Sequence, residues 1–453
     1  MRYVTYRSGG ESRLGSLQNG YIVDVGQVAG ISRLFFLIEG GPEVWKDVAA
    51  TLQASNVEEL AAKGWAVPYQ EGLLTAPITK PPKNVICLGR NYYKHFLEGA
   101  VARGSDEKPP AAPIYFTKPH TSIIGPFDPI PLDPEVTQKL DWEAELGMII
   151  GVGGRKIKKE DAARHVFGYT VINDVTARDL QDRHLQWFKG KGLDASCPMG
   201  PVVVTPDELP DPVHLPISLK VNGVVKQDAN TGQLMFDIPT MIEDLSLAIT
   251  LEPGDVISTG TPDGVGHFSK PPEYLKVGDV METIIEGVGI IRNRITTPER
   301  AEIITHYNRE RDVLLAVLHH IEAEHYGLDT ACEGWSVKDL VGHLTAGTNN
   351  VIPFVQQHID KEFKPGVEAL NERNALAVEK RKEQSLSSLI NEIVETHHKN
   401  IEFYLALTDE QLEVEHANAM GAVMTAKERF RRFTTHYREH AAQIATAIGV
   451  PLQ

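Results

Sequence analysis

The sequence predicts a multidomain α+β protein, with a β-rich region over residues 1–298 followed by an all-α four-helix bundle over 301–453. Three observations point there. At 453 residues the chain exceeds the roughly 250–300 at which a single hydrophobic core stops growing. Glycine and proline crowd its first part: 31 of 38 glycines and 25 of 28 prolines precede residue 301, whereas 11 of 17 histidines follow it. Apolar residues form short runs between turn residues before that point and recur at helical spacing after it.

Bulk properties exclude several function classes. No apolar run approaches the roughly 20 residues of a membrane span. The net charge of −16 argues against a nucleic-acid groove, and it requires that an anionic substrate be drawn in by a metal or by local Lys and Arg. Cys87, Cys197 and Cys332 are too far apart for a disulfide framework, and the amino terminus shows no secretory pattern. A reducing, cytoplasmic setting is the expectation.

Residues 1–75 read as a small lead-in domain, with strands near 2–6 and 21–25 and a helix around 43–62. A second region follows over 76–298. Its β-branched runs, 201–205, 217–226 and 254–259, are bounded by Gly and Pro and predict strands. Beyond Pro298, helical periodicity covers Ile303–Tyr326, Val337 to about Ile359, Leu386–Leu407 and Thr425–Ile448. Ser336, Ser385 and Thr425 are placed to cap three of these helices.

The strongest chemical signal is DWEAELGMIIG, 141–151. As a strand it puts Asp141, Glu143 and Glu145 on one face. Clustered carboxylates repel, and a hard divalent ion with oxygen ligands is a physical remedy; a solvated edge strand is the bland alternative. The apolar run 168–173 ends at Asp174, a strand-end ligand or else a helix cap.

GRNYYKHFLEG (89–99), FTKP (116–119), DWEAELGMIIG, INDVTARDLQ (172–181), WFKGKGLDASCPMGPVVVT (187–205) and TLEPGDVISTGTPDGVG (250–266) resemble, in order and spacing, the signature blocks of the fumarylacetoacetate hydrolase family. The resemblance covers about residues 80–295 and implies a mixed β-roll catalytic domain. It implies that Glu143, Glu145 and Asp174 bind Mg²⁺ or Mn²⁺, and that His95 and Glu98 form a catalytic pair. Lys191 matches the family lysine, with Lys189 a competitor because Gly192 and Leu193 depart from the usual Ser-Phe. Arg178, Gln181 and Thr261 match substrate-pocket positions, while Gly260, Gly264 and Gly266 read as turn glycines.

The implied reaction is hydrolysis of a carbon–carbon bond in an acylpyruvate such as fumarylpyruvate, with His95 activating water and Lys191 offsetting negative charge. The alternatives are oxaloacetate decarboxylation and isomerisation or dehydration of a 2-oxo acid. A small-molecule 2-oxo acid is the expected partner, and a homodimer the expected assembly.

In the helical region His436 and His440 share a helix face, and a bundle can bring His343 to them. Three imidazoles suit Zn²⁺ or Ni²⁺. WSVKDLVGHL (335–344) with the later H-x-x-x-H resembles the DinB-like superfamily, which includes mycothiol-dependent maleylpyruvate isomerases. His436 stands where those isomerases often carry an acid. The resemblance implies a low-molecular-weight thiol and a second, isomerase activity. The alternative is a bundle serving only oligomerisation or thiol binding.

Overall fold

In the computed structural model, which describes all residues except 210, 333, 363–365, 419 and 453, the chain divides into two compact units. Met1–Tyr6, Arg13–Tyr69 and Leu74–Pro298 form the first, and Arg7–Ser12, Gln70–Leu73 and Glu299–Gln453 the second. Among the described residues no helix is long and apolar enough to cross a membrane.

The first unit is built on strands β1 (Arg2–Ser8), β2 (Glu11–Gln18), β3 (Tyr21–Asp24), β4 (Ala66–Pro68), β5 (Val85–Gly89), β6 (Ile114–Lys118), β7 (Ala144–Ile150), β8 (Val166–Asn173), β9 (Cys197–Val204), β10 (Pro216–Val221), β11 (Val224–Asn230), β12 (Val256–Ser258), β13 (Val280–Ile285) and β14 (Gly289–Thr296). The main sheet runs β4-β3-β2-β1-β9-β8-β7-β12-β5-β6. The second carries β11-β10-β13-β14. The expected lead-in domain therefore has no sheet of its own, because β1 pairs antiparallel with β9, Arg2 opposite Val204 and Tyr3 opposite Val203. Val-, Ile- and Leu-rich β7, β8 and β9 are buried along their whole length, as strands covered on both faces require. The alternation in β10, whose inner residues Ile217, Leu219 and Val221 are buried, marks a strand with one wet face.

The helices of this unit include α1 (Gly41–Gln53), α2 (Tyr93–Arg103), α3 (Arg178–Arg183), α4 (Phe188–Lys191) and α5 (Ile238–Ala248). β7 begins only at Ala144. Asp141 belongs instead to a two-residue strand, Leu140–Asp141, that pairs with Thr176–Ala177.

The second unit contains α6 (Pro298–Leu318), α7 (Val337–Asn349), α8 (Val351–Ile359), α9 (Val367–Glu379), α10 (Leu386–Ala406) and α11 (Ala426–Ile448), with a hairpin of β15 (Glu415–Ala417) and β16 (Val423–Thr425). Ser336, Ser385 and Thr425 each cap a helix through the side chain, as expected. The single helix expected over 337–359 is two, α7 and α8. Pro353 lacks the N–H that would bond to Asn349, and the helix breaks there. Tyr404 stacks on Phe430 with ring centroids 4.3 Å apart, and Tyr307 on Tyr437 at 5.4 Å, in the bundle core.

Candidate active site

Glu143 and Glu145 flank the start of β7, and Asp174 follows β8 directly; the register sets Ala144 opposite Asn173. One carboxylate oxygen from each of the three lies within 4.8 Å of the others, and all three residues are buried. Asp141 is not among them. Its Oδ2 accepts from Arg178 Nε at 2.8 Å and its Oδ1 from Gly266 N at 2.8 Å. The expected single face of three acids thus splits at the strand break, with Glu143 and Glu145 on one side and a paired Asp141 on the other. Asp174 does not cap α3, whose N-cap is Ala177.

Charge around the triad is unevenly compensated. Lys191, 2% exposed, donates to Glu143 Oε2 at 2.6 Å and Asp174 Oδ2 at 2.7 Å; Lys189 is exposed. Burial opposes ionisation of Glu143, but the cations of Lys191 and Arg178 outweigh it and hold this carboxyl well below its ordinary range. Glu145 goes the other way: burial first, then Asp174 and Glu143, push it well above. Its Oε2 accepts from Ser258 Oγ at 2.5 Å and Gly260 N at 2.9 Å, while its Oε1 has no hydrogen-bond partner. A buried orphan carboxylate oxygen within an all-oxygen donor set fits a hard divalent cation.

His95 and Glu98 lie on one side of α2, His95 Nδ1 2.8 Å from Glu98 Oε1. Glu98 Oε2 accepts from Gly264 N at 3.1 Å. Gly264 has φ +98°, and a Cβ there would meet Lys226 O at 2.1 Å, so the loop reaches Glu98 only with glycine. Gly266 is different: its Cβ would lie 2.1 Å from Glu273 O without a positive φ, a close approach rather than a turn requirement.

A cavity of about 330 Å³ joins these groups, with His95, Glu143, Arg178, Gln181, Lys191 and Thr261 all in its wall. Arg178 is committed to neighbours: besides Asp141, its Nη1 donates to Gln181 Oε1 at 3.0 Å and its Nη2 ion-pairs with Glu143 Oε1 at 2.7 Å. Thr261 Oγ1 accepts from Gln227 Nε2 at 2.8 Å.

Sequence reasoning passed over Lys118, Ser258 and Asn91. Lys118 is fully buried; its Nζ donates to Val175 O at 3.0 Å, Ser196 Oγ at 3.1 Å and Lys191 O, and ion-pairs with Asp174 Oδ1 at 2.9 Å. Asn91 ties the start of α2 to Thr259 O at 2.8 Å and Phe236 N at 2.8 Å. FTKP and GRNY contain the first and the third, so the motifs were the available signal.

In the second unit, His343 of α7 meets His436 and His440 of α11. His436 Nε2 lies 3.1 Å from the Nε2 of each of the other two. His440 Nδ1 donates to Gln443 Oε1 at 2.6 Å, which leaves its Nε2 lone pair directed at the cluster. Burial, then His440, lowers the His343 pKa to about 4, and burial likewise holds His436 well below the ordinary value. Three convergent neutral imidazoles fit a borderline divalent metal.

Residues 84–296 match the fumarylacetoacetate (FAA) hydrolase C-terminal family. An oxaloacetate tautomerase of Bacillus subtilis is 47% identical over 222 residues, 49% of this chain and 72% of that protein. The chain belongs to the fumarylacetoacetate hydrolase family. A mitochondrial oxaloacetate tautomerase of Homo sapiens is 45% identical over 248 residues, 54% of this chain and 76% of that protein. A fumarylacetoacetate hydrolase from Exiguobacterium antarcticum superposes with TM-score 0.56 at 40% identity, over 66% of this chain and 99% of that one. A maleylpyruvate hydrolase from Sphingobium sp. SYK-6, solved with manganese(II) and pyruvate, superposes with TM-score 0.51 at 29% identity over 66% and 99%. Residues 307–444 match the mycothiol maleylpyruvate isomerase N-terminal domain, so the expected fusion is present.

Proposed function

We propose that the first unit holds Mg²⁺ or Mn²⁺ on Glu143, Glu145 and Asp174 and interconverts the enol and keto forms of a small 2-oxo diacid, oxaloacetate being the candidate. The observation that carries this reading is the His95–Glu98 pair, 2.8 Å apart, in the wall of the cavity that Glu143 also lines. Relatives 44–49% identical are named oxaloacetate tautomerases, which favours tautomerisation over hydrolysis as the first reading.

A divalent ion on the triad supplies Lewis-acid polarisation of the 2-oxo oxygen. Glu98 accepts from His95 Nδ1 and so leaves Nε2 as the base. Nε2 takes the proton from the enol hydroxyl and returns it to C3, so ketonisation gains and loses no atoms and His95 ends as it began. Lys191 offsets negative charge on the reacting oxygen. Arg178 keeps Glu143 in place through its ion pair, and Gln181 and Thr261 offer polar contacts to the substrate carboxylate.

Hydrolysis of an acylpyruvate is the second reading, favoured by the maleylpyruvate hydrolase likeness and the isomerase-type bundle. There His95 would deprotonate water as it attacks the distal carbonyl, and the C3–acyl bond would break to release pyruvate. In that reading the three histidines hold Zn²⁺ or Ni²⁺ and, with a low-molecular-weight thiol, isomerise the substrate first.

The test is a Mn²⁺-supplemented assay of the purified chain on enol-oxaloacetate, fumarylpyruvate and acetylpyruvate, following enol absorbance and pyruvate. Ketonisation that falls about a hundredfold or more in His95→Gln and disappears in Glu143→Ala is the expected result. Pyruvate release from an acylpyruvate under the same dependence selects the second reading, and no turnover of any of the three rejects both.

A further inference from the structure

His267 and Phe268 contribute to the wall of the cavity that holds His95, as does Asp182. The His267 side chain has no part in the chemistry described above, and the loop does not need it, because the backbone fixes this segment. His267 N donates to Asp141 Oδ2 at 3.1 Å, next to the Gly266 N contact with Asp141 Oδ1. On the other side Glu273 N donates to Gly266 O at 2.9 Å, and Leu275 N to Leu140 O at 2.8 Å. These bonds carry the returning chain past the loop and bring Tyr274 to the imidazole.

The ring is held in one orientation. Its Nδ1 lies 3.0 Å from the Tyr274 hydroxyl, and its Nε2 lies 3.9 Å from Asp182 Oδ2. Tyr274 takes no part in the wall whereas Asp182 does, so Nε2 is the nitrogen on the cavity side. A phenol hydroxyl donates readily, and a carboxylate can only accept. Burial, then Asp141 and Asp182, hold the Tyr274 proton more firmly than usual; burial, then Arg178, keeps the His267 proton affinity below its ordinary value. The imidazole is therefore neutral at pH 7, with Tyr274 donating to Nδ1 and the single ring proton on Nε2. At 3.9 Å Asp182 is too far away to accept that proton, and the N–H has no acceptor among the described residues.

The place of this N–H gives it a use. Phe268 stands between the two histidines, its ring centroid 5.0 Å from that of His267 and 5.9 Å from that of His95. A 2-oxo diacid carries one carboxylate beside its 2-oxo group and a second on C3, and the second needs a donor of its own. Arg178 cannot be that donor, since its guanidinium is committed to Asp141, Gln181 and Glu143. The Asp182 side chain is 60% exposed, so solvent screens its repulsion of an anion. We infer that His267 donates from Nε2 to the substrate carboxylate lying away from the Glu143/Glu145/Asp174 triad, with Tyr274 as the positioning residue that fixes the tautomer. The pair thus selects a diacid over the corresponding monoacid. The inference rests on the reading of this site as one for a 2-oxo diacid.

The test uses the full chain carrying His343→Ala, so that the bundle contributes no metal site, loaded with Mn²⁺. L-Malate and L-lactate, which differ only in the distal carboxylate, are titrated by calorimetry. Malate is expected to bind about tenfold or more tightly than lactate, as a hydrogen bond to a charged group allows. His267→Phe keeps a ring beside Phe268 and the backbone bond to Asp141. It is expected to bring the ratio below about threefold with lactate affinity and Mn²⁺ content unchanged. His267→Gln retains a donor and is expected to recover most of the preference, and Tyr274→Phe to fall between the parent and His267→Phe. A parent that does not prefer malate, a preference that persists in His267→Phe, an equal loss for lactate, or no binding of either overturns the inference. Ketonisation of enol-oxaloacetate is followed on the same proteins, where His267→Phe is expected to raise KM about fivefold or more with kcat within about twofold. A malate preference that depends on His267 in a parent without turnover rejects the reaction and keeps the carboxylate contact. Turnover with the preference intact in His267→Phe rejects the contact alone.

Discussion

Lys118 shows how much of the first centre's charge balance rests on one side chain. Its ammonium has four oxygen neighbours inside a fully buried site, Asp174 among them. Removing one partner of a buried ion pair strands the other and costs about 3–5 kcal/mol. Lys118→Met is therefore expected to lower the melting temperature by roughly 10 °C. Excess Mn²⁺ should recover part of that loss, because a divalent ion on Asp174 replaces the missing charge. Thermal unfolding of parent and variant with and without Mn²⁺ checks this; equal melting temperatures would show that Lys118 is a bystander. The alternating acids marked Glu143 and Glu145 as a candidate pair, whereas Asp174 as a ligand, the His95/Glu98 pair and Lys191 were legible only through the family resemblance of the motifs that carry them. Ser258 and the Gly260 N–H were not, because they reach Glu145 across 113 and 115 residues and no local pattern announces such contacts. A backbone N–H, moreover, leaves no mark in residue identity.

At the scale of elements, the helices were read well where caps and periodicity agree and less well where one residue changes the outcome. Ser336 both begins α7 and completes a capping box with Asp339, whereas Pro353 ends it early. The acidic strand was read one pair too long: Asp141 obeys the two-residue alternation, yet its pairing with Thr176 rather than with the strand opposite Glu143 turns it to Arg178. The pairing of α7 with α11 also predicts an acid response. His343 titrates at about 4 in the folded chain against an ordinary 6.5. The unfolded chain therefore binds the proton first, and the stability held above pH 6.5 is lost as pH falls toward 4. For His343 alone the loss is on the order of 3 kcal/mol, and burial of His436 acts in the same direction. Urea unfolding of metal-free protein, followed by helical circular dichroism, should show a bundle midpoint that drops between pH 7 and 4.5. An unchanged midpoint would contradict a buried neutral cluster.

For the whole molecule, the boundary was visible as a change of composition, and the structure divides the chain at Pro298 and Glu299. What the sequence did not show of the lead-in is its strand partner: β1 on β9 spans about two hundred residues of sequence and depends on a register that short-range patterns do not encode. The two candidate metal centres belong to different units and offer different donors, carboxylate oxygens in one and imidazole nitrogens in the other. Hard Mg²⁺ or Mn²⁺ suits the first and a borderline ion the second, so the chain should hold two metals with separable dependence. Glu143→Ala is expected to abolish Mn²⁺ binding while retaining Zn²⁺, and His343→Ala to do the reverse, both read by elemental analysis after dialysis against Mn²⁺ and Zn²⁺ together. Turnover in the first unit should survive His343→Ala, since no residue of the His95 cavity comes from the bundle. Loss of both metals from either variant would mean that the centres are coupled, and the fusion would then be one catalytic machine rather than two active units on a single chain.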